Sequence, residues 1–139
     1  MRFVDTNVLL YALSTDPVEG AKATTARAVL ESTDLALSVQ VLQEFYVQAT
    51  RPTRQHRLSH EQASRLIEAW LRFPVQDVTV PIMQAACATA QASGISYWDA
   101  AIVEAARALG CATVLSEDLA DGRDYAGVRI ENPFRSIQA

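Results

Sequence analysis

Apolar positions follow two different spacings along this chain, and their alternation predicts strands that are separated by helices. Short, mostly apolar runs between polar or turn residues are typical of buried strands. Longer segments in which apolar residues recur every three or four positions are typical of helices that cover a core. We predict strands at 3–5, 35–38, 75–80, 112–116 and within 127–134, and helices at 16–31, 39–49, 60–73, 81–93 and 97–109.

Capping and breaking residues mark the ends of several predicted helices. Ser59 and Ser96 are well placed to accept hydrogen bonds from the first turns of the third and fifth helices. Gly94 and Gly110 favour helix termination, because glycine readily adopts the left-handed conformation that often follows a helix. Pro52 disfavours helical geometry in the residue before it, so the second helix should end there.

The order of the elements predicts an α/β fold in which helices cover both faces of a parallel sheet. Ligands of such folds bind at the carboxyl ends of the strands. Asp5 ends the first predicted strand, and the acidic segment 117–121 follows the strand at 112–116. If both strands are central and parallel, these acids meet at one edge of the sheet. The length of 139 residues favours a single domain over 1–139.

The charge composition argues against a general electrostatic attraction to nucleic acid. The chain has 12 lysine and arginine residues against 16 aspartate and glutamate residues, and its formal net charge is −4. A nuclease remains compatible with this balance if bound metal neutralises its acids. No apolar run is long enough for a membrane span, and Asp5 and Asn7 interrupt the segment that resembles a signal peptide. We therefore expect a cytoplasmic protein, with Cys87 and Cys111 as reduced core residues.

Three candidate acids each have a structural and a functional interpretation. Asp5 interrupts an apolar run, so it either caps a following helix or serves a site at the end of its strand. Glu44 lies on or beside the apolar face of its helix, where it is either solvated or directed into a site. Asp99 stands three residues after Ser96, a spacing that resembles a capping box, so it either caps its helix or binds a metal, and the two roles need not exclude each other.

The acidic segment that contains Asp118 and Asp121 is either a solvated loop or part of a cation site. Carboxylates packed into one turn repel one another unless a cation lies between them. Oxygen-rich sets of aspartate and glutamate are the ligands that Mg²⁺ and Mn²⁺ prefer. Such ions can hold a phosphodiester and activate a water molecule, so the constellation favours a metal-dependent hydrolase.

The motifs VDTNVLLY, VLQEF, SYWDA and LSEDL, with NPF near the end, occur in an order that resembles the PIN-domain family. Within that family the chain is most similar to the VapC-type ribonuclease toxins of toxin–antitoxin pairs. The resemblance covers essentially the whole chain. It implies a PIN-like α/β/α sandwich with a central parallel sheet, dependence on Mg²⁺ or Mn²⁺, and endonucleolytic cleavage of RNA.

The resemblance also implies which residues form the site. Asp5, Glu44 and Asp99 match the three acids of the family's motifs. Asp5 and Asp99 would be the main metal ligands, and Glu44 would bind a second ion or orient the attacking water. Ser116 matches the small hydroxyl residue that precedes the fourth acidic position, and Asn7 and Ser116 would support the ligands by hydrogen bonds.

The fourth acidic position has two candidates. Asp118 fits the family form in which an acid stands two residues after the hydroxyl residue. Asp121 fits a variant in which the acid comes later and precedes an aromatic residue, but Gly122 stands at that aromatic position. We expect Asp118 to be the fourth ligand and Asp121 to be a supporting or substitute ligand.

Three kinds of partner are expected. The family resemblance implies an RNA substrate and a cognate antitoxin protein, and we also expect a homodimer. A cluster of carboxylates could accept an arginine or lysine side chain of the antitoxin. Arg51, Arg54 and Arg57 form a basic stretch in a polar loop, which is either simply solvated or steers the RNA backbone toward the acids.

Competing interpretations are weaker. A receiver-type signalling domain needs paired acids near its start and a late lysine, but the only lysine is Lys22. A zinc site at His56 and His60 is unfavourable, because Ser59 begins a helix between them. Tyr11, Phe45, Trp70 and Trp98 are expected to be core or interface anchors rather than base-stacking platforms. A catalytically silent PIN-like binding module remains the main alternative to an enzyme.

Overall fold

A sheet forms the centre of the molecule in the computed structural model, which describes residues 1–137. Its strands are β1 (Arg2–Val4), β2 (Leu35–Ser38), β3 (Val75–Gln76), β4 (Thr113–Leu115), β5 (Asp124–Tyr125) and β6 (Val128–Glu131). They lie in the order β3-β2-β1-β4-β6-β5. Neighbouring strands pair in parallel, except that β5 pairs with β6 in the antiparallel direction. Strand β1 is therefore internal, with β2 on one side and β4 on the other.

The helices cover both faces of this sheet. They are α1 (Thr6–Leu13), α2 (Gly20–Leu30), α3 (Val39–Ala49), α4 (His60–Trp70), α5 (Val80–Ser93) and α6 (Tyr97–Ala108), with a 3₁₀ turn at Pro17–Glu19. The chain moves outward from β1 through β2 to β3 and then returns to β4. Because such crossovers are right-handed, α1 to α4 lie on one face and α5 and α6 on the other. The structure thus confirms the predicted α/β/α sandwich.

Local signals in the sequence give several element bounds correctly. The strand at 35–38 and the helix at 39–49 have the predicted limits. Ser59 caps α4 in a full capping box with Gln62, and the Ser96 side chain accepts a hydrogen bond at the start of α6. Gly94 ends α5 with a φ of 68°, the left-handed conformation that glycine adopts without steric cost.

Three parts of the secondary structure differ from the prediction. Helix α1 begins directly after Asp5, and its short apolar sequence did not distinguish a helix from a loop. Strand β3 ends at Gln76 rather than at Val80, because the Thr79 side chain caps α5 and Pro81 lies in that helix's first turn. Strand β5 was not predicted, since its two residues acquire their conformation only by pairing with β6.

The core confirms some predicted anchors and contradicts others. Phe45 and Trp70 are buried and stack edge to face, with ring centroids 4.7 Å apart. Tyr11 is half-buried against Phe134. Trp98 is not a core residue, because 65% of it is exposed, and its predicted alternative role as an interface anchor stays a prediction.

The cysteines also differ from each other. Cys111 is a buried free thiol, as expected, but Cys87 is exposed and does not belong to the core. Within residues 1–137, no helix combines the length and apolar character that a bilayer crossing requires.

Candidate functional site

Asp5 lies where β1 ends and α1 begins, and it is 7% exposed. Its Oδ1 accepts a hydrogen bond from the backbone N–H of Thr6 at 2.7 Å. Its Oδ2 accepts hydrogen bonds from the Ser116 hydroxyl at 2.7 Å and from the Asn7 amide at 3.3 Å. The structural and functional interpretations of Asp5 are therefore compatible, since one oxygen caps the helix and the other faces the end of β4.

The surroundings of Asp5 make its negative charge costly. Burial raises the pKa of the Asp5 carboxyl from 3.8 to about 6, although the hydrogen bonds from Ser116 and Thr6 act in the opposite direction. The nearby carboxylates of Glu44 and Asp118 raise this pKa further. A bound cation would remove both the repulsion and much of the cost of burial.

Ser116 is fully buried directly after β4 and organises the acidic segment. Its hydroxyl donates to Asp5 and accepts from the backbone N–H groups of Asp118 and Leu119, both at 3.2 Å. The Asn7 amide nitrogen lies 3.3 Å from the same hydroxyl oxygen, while the Asn7 carbonyl oxygen accepts from the Glu117 N–H at 3.1 Å. Ser116 and Asn7 thus connect the end of β1 to the loop after β4.

Asp118 and Asp121 have different environments. The exposed Asp118 lies beside Asn7, whose amide donates to its Oδ2 at 3.3 Å. Asp121 instead accepts from the backbone N–H of Asn132 at 2.8 Å, and its other oxygen lies 3.8 Å from a guanidinium nitrogen of Arg135. The structure therefore brings Asp118 to Asp5, whereas Asp121 holds the segment that follows β6.

Glu44 reaches the same edge of the sheet from the middle of α3. The Thr6 hydroxyl donates to its Oε2 at 2.8 Å, and the Gln40 amide donates to its Oε1 at 2.8 Å. Gln40 also donates to the backbone carbonyl of Trp98 at 3.2 Å. This amide therefore connects Glu44 to the first turn of α6, which carries Asp99.

Asp99 forms only one of the two hydrogen bonds of the expected capping box, the one made by its backbone N–H. Its N–H donates to the Ser96 hydroxyl at 3.1 Å, but its carboxylate makes no return hydrogen bond. In the described part of the chain this carboxylate has neither a hydrogen-bond donor nor an ion-pair partner. The cap therefore uses the Asp99 backbone and leaves its carboxylate available to bind a ligand.

The four predicted acids are chemically suited to a hard divalent cation, because each offers carboxylate oxygens. None of them forms an ion pair within residues 1–137, although ion pairs do occupy Asp34, Glu104, Glu117 and Asp121. The conformation is not a closed cage, since over the same residues no three Asp, Glu, His or Cys side chains are grouped closely enough to hold an ion. In residues 1–137, the Gln40 amide links Glu44 to the Trp98 carbonyl, beside Asp99 in the first turn of α6.

A second network beside these acids was missed by the sequence reasoning. The ammonium of Lys22 lies 2.6 Å from Oε2 of Glu117, and the Tyr11 hydroxyl donates to Oε1 of the same residue at 2.6 Å. Burial raises the pKa of Glu117, but the hydrogen bonds from Lys22 and Tyr11 outweigh it, and the net pKa is lowered. Glu117 is thus neutralised within the chain, which leaves Asp118 as the unpaired acid of this loop.

Thr6 and Gln40 were also missed, although the sequence carried a signal for each. Thr6 follows Asp5 directly, and Gln40 stands one helical turn before Glu44. Their roles follow from the packing of α1 against α3 and of α3 beside α6. A position next to a candidate acid, or one turn away from it, is where such supporting donors should be sought.

The remaining candidates separate into two groups. Arg54 lines a cavity of about 200 Å³ together with Asn7, Tyr11 and Asp118, so part of the basic loop does border the acids. His60 begins α4, and its Nδ1 lies 2.9 Å from the Tyr46 hydroxyl, while His56 lies in the preceding loop. These histidines share no helical face, as the sequence predicted.

This chain matches one protein-family model and several solved structures. A model of the PIN domain matches residues 2–120. No curated protein matches this chain in sequence. Similar structures include a toxin–antitoxin complex from Klebsiella pneumoniae, which has 20% sequence identity and a TM-score of 0.69 over 96% of this chain and 98% of that one.

Two further structures share the fold. VapC20 of Mycobacterium tuberculosis, a toxin that cleaves the sarcin-ricin loop, has 21% identity and a TM-score of 0.65 over 85% of this chain and 92% of its own. VapBC2 from Rickettsia felis, bound to a fragment of its promoter DNA, has 17% identity and a TM-score of 0.63 over 94% and 97% of the two chains. With a family model that matches residues 2–120, and with Asp5 and Asp118 placed after two neighbouring parallel strands, this chain belongs to the PIN-domain family.

Proposed function

We propose that this protein is a Mg²⁺- or Mn²⁺-dependent endoribonuclease and the toxin of a toxin–antitoxin pair. The observation that carries the proposal is the buried carboxylate of Asp5, whose hydrogen-bond donors are all neutral and whose neighbours Glu44 and Asp118 repel it. Membership of the PIN-domain family, and the likeness to VapC20, support RNA as the substrate class.

Each acidic side chain has a distinct role in the proposed metal site. Asp5 and Asp99 would hold the ion, with Asp118 completing the set and Glu44 binding a second ion or orienting the attacking water. When bound, the ion would activate water and stabilise the charge that develops on the phosphodiester. Thr6, placed between Asp5 and Glu44 by its hydroxyl contact, holds Glu44 in position.

Substrate phosphates would approach from the side of Arg54. Its side chain lines the cavity that Asp118 and Asn7 border, and it is the half-buried member of the basic loop 51–57. A guanidinium group can form two parallel hydrogen bonds to a phosphate, which would position the RNA backbone against the acids.

A cognate antitoxin would silence this site. The similar structures include toxin–antitoxin complexes, which supports a protein partner of this kind. The carboxylates at the cleft offer a receptor for a single arginine or lysine of that partner, which would compete with the metal. We further propose that the toxin acts as a homodimer in the cytoplasm.

The direct test is cleavage of an end-labelled RNA by the purified chain with Mn²⁺, and again after chelation with EDTA. Cleavage that requires Mn²⁺ and is lost in folded Asp5→Asn would support the enzyme. Unchanged RNA with ample Mn²⁺ would favour a catalytically silent binding module. In cells, induction of the chain alone should arrest growth, and co-expression of the protein encoded next to it should relieve that arrest.

A further inference from the structure

Trp98 stands out because it presents a large aromatic ring to solvent immediately before a candidate catalytic residue. It is 65% exposed, whereas Trp70, the other tryptophan, is 5% exposed. Its ring packs edge to face on Tyr97, with centroids 5.0 Å apart and planes at 84°. Its backbone carbonyl accepts from Gln40, which also holds Glu44. The ring is therefore anchored at its base and open on its outer face.

A cavity of about 260 Å³ lies beside this ring. Its walls combine apolar side chains with amides, and they include Gln40, Gln43, Gln76, Asp77, Met83 and Tyr97. No arginine or lysine lines it in the described part of the chain. A phosphate would find no positive charge there and would be repelled by Asp77. An uncharged planar group with hydrogen-bonding edges is a better match, because the Gln43 amide offers donors and an acceptor, while Gln76 retains one donor and Gln40 its carbonyl oxygen.

We propose that Trp98 is a stacking platform for an unpaired nucleobase of the RNA, and that the adjacent cavity receives and reads that base. This inference rests on the proposed ribonuclease function, and it assigns a specificity-determining residue to it. Aromatic side chains bind single-stranded RNA by stacking on bases, while amides read the exposed base edges. Gln40 contacts both the acid Glu44 and the Trp98 carbonyl, so a base held here would lie next to the phosphodiester that the acids address.

The arrangement would separate two tasks of RNA binding. Arg54 borders the acids in one cavity, where it suits a phosphate, and Trp98 borders a second cavity that suits a base. Phosphate contacts position a nucleic acid without reading its sequence, whereas base contacts specify it. Changes at Trp98 should therefore alter which sites are cut as well as how tightly RNA binds.

The test uses the full chain and a fluorescein-labelled single-stranded RNA. Binding is measured by anisotropy with Mn²⁺ present, in an Asp5→Asn background that leaves the RNA intact, and the quenching of tryptophan fluorescence is recorded in parallel. Because Trp70 is buried, quenching reports on Trp98. We expect Trp98→Ala to abolish the quenching and to weaken binding about tenfold or more, while Trp98→Phe keeps most of the affinity. The control is Val18→Ala, which changes an 86% exposed apolar residue of the 3₁₀ turn.

Cut sites are then mapped on a mixed RNA pool with chains that retain Asp5. A shifted cut-site preference in Trp98→Ala, with Val18→Ala unchanged, would support the proposal. Equal affinity and equal cut sites in Trp98→Ala and the parent chain would overturn it. Conversion of a dimer to a monomer by Trp98→Ala, with RNA affinity retained, would also overturn it and assign the surface to a protein contact. Quenching by RNA without any cleavage by the parent chain would sustain the stacking role and reject the ribonuclease.

Discussion

Two buried carboxylates in this molecule are compensated in opposite ways. Asp5 and Glu104 are each 7% exposed. Glu104, on α6, accepts from Nε of Arg107 at 2.9 Å and from the Thr89 hydroxyl at 3.0 Å. Arg107 also donates to the backbone carbonyls of Tyr125 and Ala126, so this pair fastens α6 to the β5–β6 hairpin. Asp5 has three hydrogen-bond donors and no cation among residues 1–137.

The comparison shows how a structural acid can be distinguished from a candidate site acid. Where the negative charge only holds elements together, the chain supplies its own cation, as Arg107 does for Glu104. Where the charge faces a cleft, the chain supplies neutral donors and adds further negative charge from Glu44 and Asp118. An uncompensated buried charge is unfavourable, so its presence points to a cation that comes from outside the chain.

The largest expected effect is a loss of RNA cleavage that follows replacement of Asp5 but not replacement of Glu104. Asp5→Asn removes a proposed metal ligand and should lower RNA cleavage by about 1,000-fold or more, because metal stabilisation of the transition state is worth several kcal/mol. Glu104→Gln removes an equally buried charge and should leave cleavage unchanged, while lowering the melting temperature. The test measures initial rates of RNA cleavage with Mn²⁺, and melting temperatures, for both variants. Equal activity losses in the two variants would mean that Asp5 acts only through stability.

The next effect concerns the pH dependence of stability in the absence of metal. The pKa of the Asp5 carboxyl is about 6 in the folded chain, against an ordinary value of 3.8. Between these values the folded state binds more protons than the unfolded state, so the contribution of Asp5 to the free energy of unfolding falls as pH rises. The penalty is negligible below about pH 3, is complete above about pH 7, and amounts to about 3 kcal/mol.

Urea unfolding in EDTA at pH 4.5 and pH 7 would measure this contribution as the difference between the parent chain and Asp5→Asn. The variant should gain stability relative to the parent as pH rises, while Glu104→Gln should show no such gain. A pH-independent difference between Asp5→Asn and the parent would contradict the raised pKa.

Removal of the Ser116 hydroxyl should have an intermediate effect. Ser116→Ala deletes a donor to Asp5 and leaves the N–H groups of Asp118 and Leu119 without their acceptor. Loss of a residue that orients a metal ligand typically costs 10- to 100-fold in metal affinity or activity. We expect a loss of about that size in cleavage and in Mn²⁺ binding by calorimetry. Ser116→Thr, which keeps the hydroxyl, is the matched control, and similar values for all three chains would exclude a supporting role.

The smallest effect distinguishes the two candidate fourth ligands. Asp118→Asn should weaken Mn²⁺ binding by about tenfold, the lower end of the loss found when a group that supports a metal site is changed, because Asp118 is exposed and water can replace its oxygen. Asp121→Asn should instead reduce stability slightly, because its carboxylate accepts from Asn132 and lies near Arg135. Calorimetric titration with Mn²⁺ and thermal unfolding of both variants compare the two. The opposite ranking in Mn²⁺ affinity would make Asp121 the ligand.

The sequence by itself determined those features that depend on residues within about one helical turn of each other. The capping box of Ser59 with Gln62 and the left-handed Gly94 show this, because both act through local backbone geometry. The apolar run 35–38 likewise identified a strand that is buried at every position. The order of these elements was enough to predict a parallel sheet and to place acids at the ends of its strands.

Only the tertiary structure decided which of those residues meet. Asp5 and Ser116 are 111 positions apart in sequence, and they touch because β1 and β4 are neighbours in the sheet. Asp118 shares the Asn7 amide with Asp5, whereas Asp121 accepts from the segment after β6 instead. The exposure of Trp98 also depends on how α6 packs. Such contacts depend on the path of the whole chain, which local hydrogen bonding and residue spacing do not specify.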